Sequence, residues 1–177
     1  MWFWVSPPLE WSWLFIGLPI FLGYLTFRVR GSRRFYLTAA VTVVVTLSLM
    51  LHYAVGVSVV DGALDLYLPI PFNVLSYPTP TPFKVHVDPQ NIEKAFIVDD
   101  LCASQYRPVL RVGGLGLPGY KVGKFKLANG EYAILAVVGR KSLVLFLKNG
   151  EIIILAPHNF NDFIKQFKNK VYAVSNT

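Results

Sequence analysis

Apolar positions follow two patterns along the chain, and the change from one to the other divides it. From Trp11 to Phe27 the sequence reads WSWLFIGLPIFLGYLTF, and from Phe35 to Val60 it again lacks Asp, Glu, Lys and Arg. Each run fits the length of a helix crossing a hydrocarbon core of about 30 Å. The connection RVRGSRR carries Arg28, Arg30, Arg33 and Arg34. Residues 1–60 are thus predicted to form a two-helix transmembrane hairpin whose Arg-rich loop 28–34 is cytoplasmic, because basic loops resist translocation. No Lys or Arg precedes Arg28, and Asp61 and Asp65 follow the second run. The expected placement is multi-pass in the cell membrane, with two spans and both termini outside. Trp2, Trp4, Trp11 and Trp13 gather at the outward end of the first span as an interfacial anchor, and Pro19 kinks that span. With no basic residue ahead of the first run and arginines after it, a cleaved signal peptide is disfavoured.

Residues 61–83 read as a linker. Pro69, Pro71, Pro78, Pro80 and Pro82 forbid a helix, while the interspersed Leu, Ile, Phe and Tyr make the segment too apolar for a solvated tether.

Beyond the linker the period changes to short β-rich runs. There are seven: FKVHV (Phe83 to Val87), IEKAFIV (Ile92 to Val98), YRPVLRV (Tyr106 to Val112), GKFKLA (Gly123 to Ala128), EYAILAVV (Glu131 to Val138), SLVLFL (Ser142 to Leu147) and EIIILA (Glu151 to Ala156). Asn129-Gly130 and Asn149-Gly150 each separate two runs, a strong hairpin signal, so the last four runs are expected to form an antiparallel meander. After Pro157, Phe160, Phe163, Ile164 and Phe167 share one helical face, with Asn159 or Asn161 placed to cap it. Residues 84–177 are therefore predicted to be an all-β open barrel of about seven strands closed by a C-terminal α-helix.

Composition sharpens this picture. The chain is 54% hydrophobic and 15% charged, with a formal charge of +7, which is apolar-rich beside an average soluble domain. A single cysteine, Cys102, excludes an internal disulfide; it sits in the acidic stretch DDLCASQ, which disfavours a thiolate. His52, His86 and His158 lie in separate elements without acidic partners at ligand spacing, so no metal site is expected. The stretch from Gly114 to Gly119 matches GxGxxG, but a strand pattern follows where a dinucleotide site needs a helix. Those glycines are read instead as a tight, bulged loop. Ser104 and Ser142 have no base beside them in sequence. No catalytic constellation and no cofactor are expected, and the chain reads as a non-enzyme.

Two candidate sites emerge. Glu10 and His52 lie at similar depth, each about 26 Å of helix from the arginine loop. As a pair they would bind quinone, pass protons or hold a partner helix; as interfacial groups they would only stabilise the hairpin. Lys121, Lys124, Lys126, Arg140 and Lys141 fall on adjacent elements and form a candidate anion or lipid patch. The aromatics of this region read as core, which argues against nucleic acid as a partner.

The order of elements, and in particular the stretch from Gly113 through Phe167, resembles the pleckstrin-homology-like family of bacteria and archaea found on small membrane-anchored proteins, a resemblance that covers about Val85 to Lys168. The matching features are Gly113-Gly114, Gly119, Gly123 ahead of Phe125, the Asn-Gly turn, and Pro157 before an aromatic helix containing Phe163. The resemblance implies a PH-like fold with a membrane anchor, and some relatives are thought to protect against peptide toxins. The first hairpin loop reads VDPQN in place of the basic cluster that binds inositol phosphates in eukaryotic PH domains. The expected function is a non-catalytic binding or scaffolding module on the outer face of the cytoplasmic membrane, with membrane lipid and protein partners. The alternatives are an accessory subunit of a larger membrane complex and an immunity protein against a peptide toxin.

Overall fold

The computed structural model describes residues 1–8, 10, 12–28, 34–51, 55–60, 62–68, 84–171 and 175–176. A four-stranded sheet has the order β1-β2-β3-β4, built from β1 (Trp2–Trp4), β2 (Gly56–Val60), β3 (Ala63–Tyr67) and β4 (Lys84–Val87), each pair antiparallel. Between β1 and β2 the chain makes two helices, α1 (Ser12–Arg28) and α2 (Arg34–Leu51). A 3-10 turn over Pro89–Asn91 leads into a larger sheet comprising β5 (Ile92–Val98), β6 (Pro108–Leu117), β7 (Tyr120–Leu127), β8 (Tyr132–Val138), β9 (Ser142–Leu147) and β10 (Ile152–Ala156). Helix α3 (Phe160–Lys170) follows, and β11 (Ser175–Asn176) completes a seven-stranded order, β11-β5-β9-β10-β8-β7-β6.

The helical hairpin corrects the sequence reading. Among the described residues no helix is long and apolar enough to cross a membrane. The two-span transmembrane hairpin, the multi-pass placement and the outward termini are therefore overturned. Helices α1 and α2 have 17 and 18 residues, about 26 and 27 Å at 1.5 Å per residue, short of the ~20 apolar residues a span ordinarily takes. The long apolar run from Phe35 is not one element: its last part, Gly56–Val60, is strand β2. Val55, Val57 and Val59 are buried there, because β-branched side chains suit a pleated, packed surface. Trp2 and Trp4 likewise belong to β1 and not to a headgroup anchor. Pro19 lies within α1. Arg28 closes α1 and Arg34 opens α2, while Arg30, Arg33, Trp11, His52, Asp61 and the five linker prolines lie outside the described residues.

All seven expected runs form strands, β4 to β10, but a single open barrel does not result. The two sheets share one core that includes Phe3, Val57, Leu66, Val85, Val122, Leu145 and Leu155. The opposite face of the larger sheet carries a second core around Phe96, Leu101, Phe125, Leu135, Val144 and Ile154. Strands β8, β9 and β10 are thus buried on both faces, which explains their near-continuous hydrophobicity. Nor are the last four strands a meander: β10 inserts between β8 and β9, parallel to β8 and antiparallel to β9. Both Asn-Gly hairpins do form. Asn129 and Asn149 accept the backbone N–H of Glu131 and Glu151 at 3.1 and 3.0 Å, while Gly130 and Gly150 take the positive φ these turns need.

Helix α3 buries Phe163, Ile164 and Phe167; the Phe3 and Phe163 rings meet edge to face at 5.4 Å. Asn159 occupies the N-cap but makes no side-chain cap hydrogen bond; its carbonyl accepts the Phe163 N–H at 2.9 Å.

Candidate protein-binding edge

Among the described residues, strand β6 is the outer strand of the large sheet and pairs with β7 alone. Its register with β7 shifts between Pro108 and Leu110 and again between Arg111 and Gly113, so Val109 and Val112 are the extra residues of two bulges. Bulges bend a strand away from flat pairing. Regular pairing then runs from Gly113 to Leu117. The glycines read from the sequence as a loop are therefore mostly strand, with the turn at Pro118-Gly119. Gly114 (φ 107°) and Gly123 (φ 117°) face each other across the hairpin. A Cβ on Gly114 would run into the Val122 carbonyl, and one on Gly123 into the Gly113 carbonyl.

Beside this edge the first-core face runs out into solvent. Leu110, Lys126 and Tyr132 form one cross-strand row, and Gly113, Lys124 and Ile134 the next. Ile134 is buried, but Tyr132 is 46% exposed, Val109 54% and Leu110 60%. The Lys124 ammonium lies 5.9 Å from the centre of the Tyr132 ring, a cation–π distance. Arg107 and Arg111 are exposed at the same end, Arg111 on the other face, opposite Phe125 in the register. Among the described residues the edge thus joins backbone with no strand on its outer side, three exposed apolar side chains and a basic rim.

The five residues of the expected basic patch separate. Lys124 and Lys126 share the face just described. Lys121 lies on the other face of β7, because side chains alternate along a strand and 121 differs in parity. Arg140 Nη1 lies 3.4 Å from Asp100 Oδ2 and Lys141 Nζ 2.7 Å from Asp99 Oδ1, so those two cations are held by the acidic loop before Cys102. The Cys102 N–H donates to Asp100 Oδ1 at 2.9 Å, and the thiol is exposed. Glu10 is exposed; its proposed partner His52 is outside the described residues. Ser142 is buried, its hydroxyl 3.3 Å from the Arg140 carbonyl.

A charged cluster that sequence reading missed lies on the outer face of the small sheet. Cross-strand register aligns Trp2, Ser58, Asp65 and His86 in one row, and Trp4, Gly56, Tyr67 and Lys84 in the next. The Trp2 indole lies across Gly56, where a side chain would clash with it, and meets the Tyr67 ring at 4.9 Å. Asp65 takes His86 Nδ1 on one oxygen at 2.6 Å and Lys84 Nζ on the other at 3.0 Å. His86 Nε2 is 3.3 Å from Asp88. Partial burial of Asp65 works to raise its pKa, but the hydrogen bonds from His86 and Lys84 outweigh it and hold the carboxyl below its ordinary value. The same bond to Asp65 raises His86 and Lys84 above theirs. Both oxygens of Asp65 are engaged within the cluster, which suits a structural brace across β3 and β4.

No curated protein and no solved structure is significantly similar to the chain. The family model for the bacterial PH domain matches residues 84–171, which run from the first residue of β4 to the residue after α3. The resemblance seen in the glycine-rich hairpin, the Asn-Gly turns and the aromatic final helix thus reflects membership: over residues 84–171 this chain is a bacterial PH domain.

Proposed function

We propose that the chain is a non-catalytic binding module that takes up an extended segment of a partner protein by strand addition at β6. One observation carries this reading: among the described residues, the long strand β6 is paired on one side alone, beside exposed Val109, Leu110 and Tyr132. Strand addition supplies affinity through main-chain hydrogen bonds and specificity through alternate side chains. Gly113, Gly114 and Gly116 let a partner backbone approach closely. Lys124 and Lys126, on the face of Leu110 and Tyr132, favour a segment that alternates acidic and apolar residues. Protein is preferred over a lipid headgroup because Arg140 and Lys141 are already paired and Lys121 faces away, leaving apolar side chains as much of the surface as cations.

The test uses a labelled synthetic peptide alternating Glu and Val, titrated into the full chain by fluorescence anisotropy. Binding should weaken with salt and fall about tenfold or more in the Lys124→Glu, Lys126→Glu double variant. Lys121→Glu, on the other face, should leave it unchanged. Equal loss in both variants, or in neither, would refute the assignment.

A second reading is favoured by the helical hairpin. Ile16, Ile20, Phe21, Phe27, Leu37 and Val44 are all exposed, and a helix apolar on every side is ordinarily covered. The hydroxyls of Thr26, Thr42 and Thr46 turn back to carbonyls of their own helices at 2.8 to 2.9 Å, so they do not require water. In this reading the hairpin packs against apolar helices of a partner, making the chain a subunit of a larger assembly. Stoichiometric co-purification with such a partner, lost when Glu10→Gln and His52→Leu are combined, is the expected result; isolation as a monomer would contradict it.

A further inference from the structure

The outer face of α1 carries an apolar stripe whose spacing is self-complementary. Trp13, Ile16, Ile20, Tyr24 and Phe27 are each 56–68% exposed. Spaced three, four, four and three residues apart, they share one side of the helix. Thr26, two residues and so about 200° round the helix from Tyr24, faces the other way, its Oγ1 3.0 Å from Oγ1 of Thr42 on α2. The stripe thus points away from α2. We propose that α1 is a homodimer interface, its stripe packing antiparallel on α1 of a second copy about a two-fold axis at Ile20. The inference rests on the reading of the hairpin as the apolar interface of an assembly, and names the partner.

Three observations select this occupant. The spacing is the same read from either end, so antiparallel pairing about Ile20 sets Trp13 against Phe27, Ile16 against Tyr24 and Ile20 against itself, as a two-fold interface requires. The same pairing aligns Gly17 with Gly23. A Cβ at either would meet nothing within 4 Å, so no contact among the described residues accounts for two glycines that weaken a helix interior. Facing each other across the axis, they let the two helices approach closely and leave room for the side chains beside them. Charge sets the direction. Glu10 is the only acidic residue among residues 1–60 and is exposed ahead of α1, while Arg28 is exposed at its end. Antiparallel pairing brings Glu10 level with position 30 of the other copy, about 3 Å along the axis from Arg28. Parallel pairing would instead set Arg28 beside Arg28, which like charge disfavours.

The test uses the full chain in a Cys102→Ser background, with Trp13→Cys or Phe27→Cys added, and a short bis-maleimide linker. A mixture of the two variants should cross-link into a dimer holding one chain of each kind, whereas either variant alone should not. Sedimentation equilibrium of the unsubstituted chain should show a concentration-dependent dimer, weakened about tenfold or more by Glu10→Arg. Gly17→Leu should weaken it as much by overpacking the contact, while the thermal midpoint of the dilute chain is retained, because the space outside Gly17 is open within one chain. Cross-linking of Trp13→Cys alone would make the pairing parallel and overturn the proposal. So would a dimer indifferent to Glu10→Arg or to Gly17→Leu. A chain that stays monomeric and without partners at every concentration would overturn both this proposal and the assembly reading. A stoichiometric complex with a different protein, without self-cross-linking, would overturn this proposal alone.

Discussion

His86 Nδ1 lies 2.6 Å from Asp65 Oδ1, and this pair joins β3 to β4 at the point where the small sheet meets the start of the PH domain. Its pH dependence follows from the directions of the two shifts. His86 is raised, so its contribution is complete below its unfolded value of about 6.5 and is lost as pH rises through the folded value. Asp65 is lowered, so its contribution is present above about 3.9 and is lost as pH falls through the folded value. The brace is therefore strongest between about pH 4 and 6.5. Thermal midpoints of the native chain should drop more between mildly acidic and mildly alkaline buffer than those of His86→Gln. Parallel pH profiles for the two proteins would show that the pair contributes nothing measurable; with His86 52% exposed at the side chain, the effect is expected to be modest.

Gly123 should tolerate no side chain. Its φ of 117° and the facing Gly113 carbonyl leave no room for a Cβ. Gly123→Ala is expected to destabilise the chain by about 1–3 kcal/mol or more in urea unfolding. Gly119 also has positive φ but has open space around it, so Gly119→Ala should cost only about 1 kcal/mol. Equal losses at the two positions would show that backbone conformation, and not the close approach of β6 and β7, sets the requirement for glycine.

Phe167 is fully buried in the first core from the last turn of α3. Truncation to alanine removes apolar contact and leaves a cavity, and about 3–5 kcal/mol should be lost. Chemical denaturation checks this. A loss below about 1 kcal/mol would mean that α3 is not integral to the fold.

How much was legible in the sequence depends on what each signal encodes. The Asn-Gly turns and the spacing of Phe163, Ile164 and Phe167 report local geometry, and the hairpins and α3 formed where they predicted. The Val-rich run ending at Val60 was misread because a strand in a packed core and a lipid-facing helix both require continuous apolar residues. The placement of β10 between β8 and β9 was not readable either: strands buried on both faces carry no alternation to set their neighbours. The Asp65–His86 pair depends on cross-strand register between segments separated by the linker. By contrast, the separation of Lys121 from Lys124 and Lys126 was available from parity along β7. The adjacent apolar pair Val109 and Leu110 was likewise a readable break in alternation, and it marks the bulge beside the proposed binding edge.

The central claim is that β6 accepts a strand, and amide hydrogen exchange with the alternating Glu–Val peptide tests it most directly. The account predicts new protection at alternate amides from Gly113 to Leu117, those facing away from β7, with no change in amides of α3. Binding that leaves β6 exchange unaltered, or that protects a different surface, would contradict it.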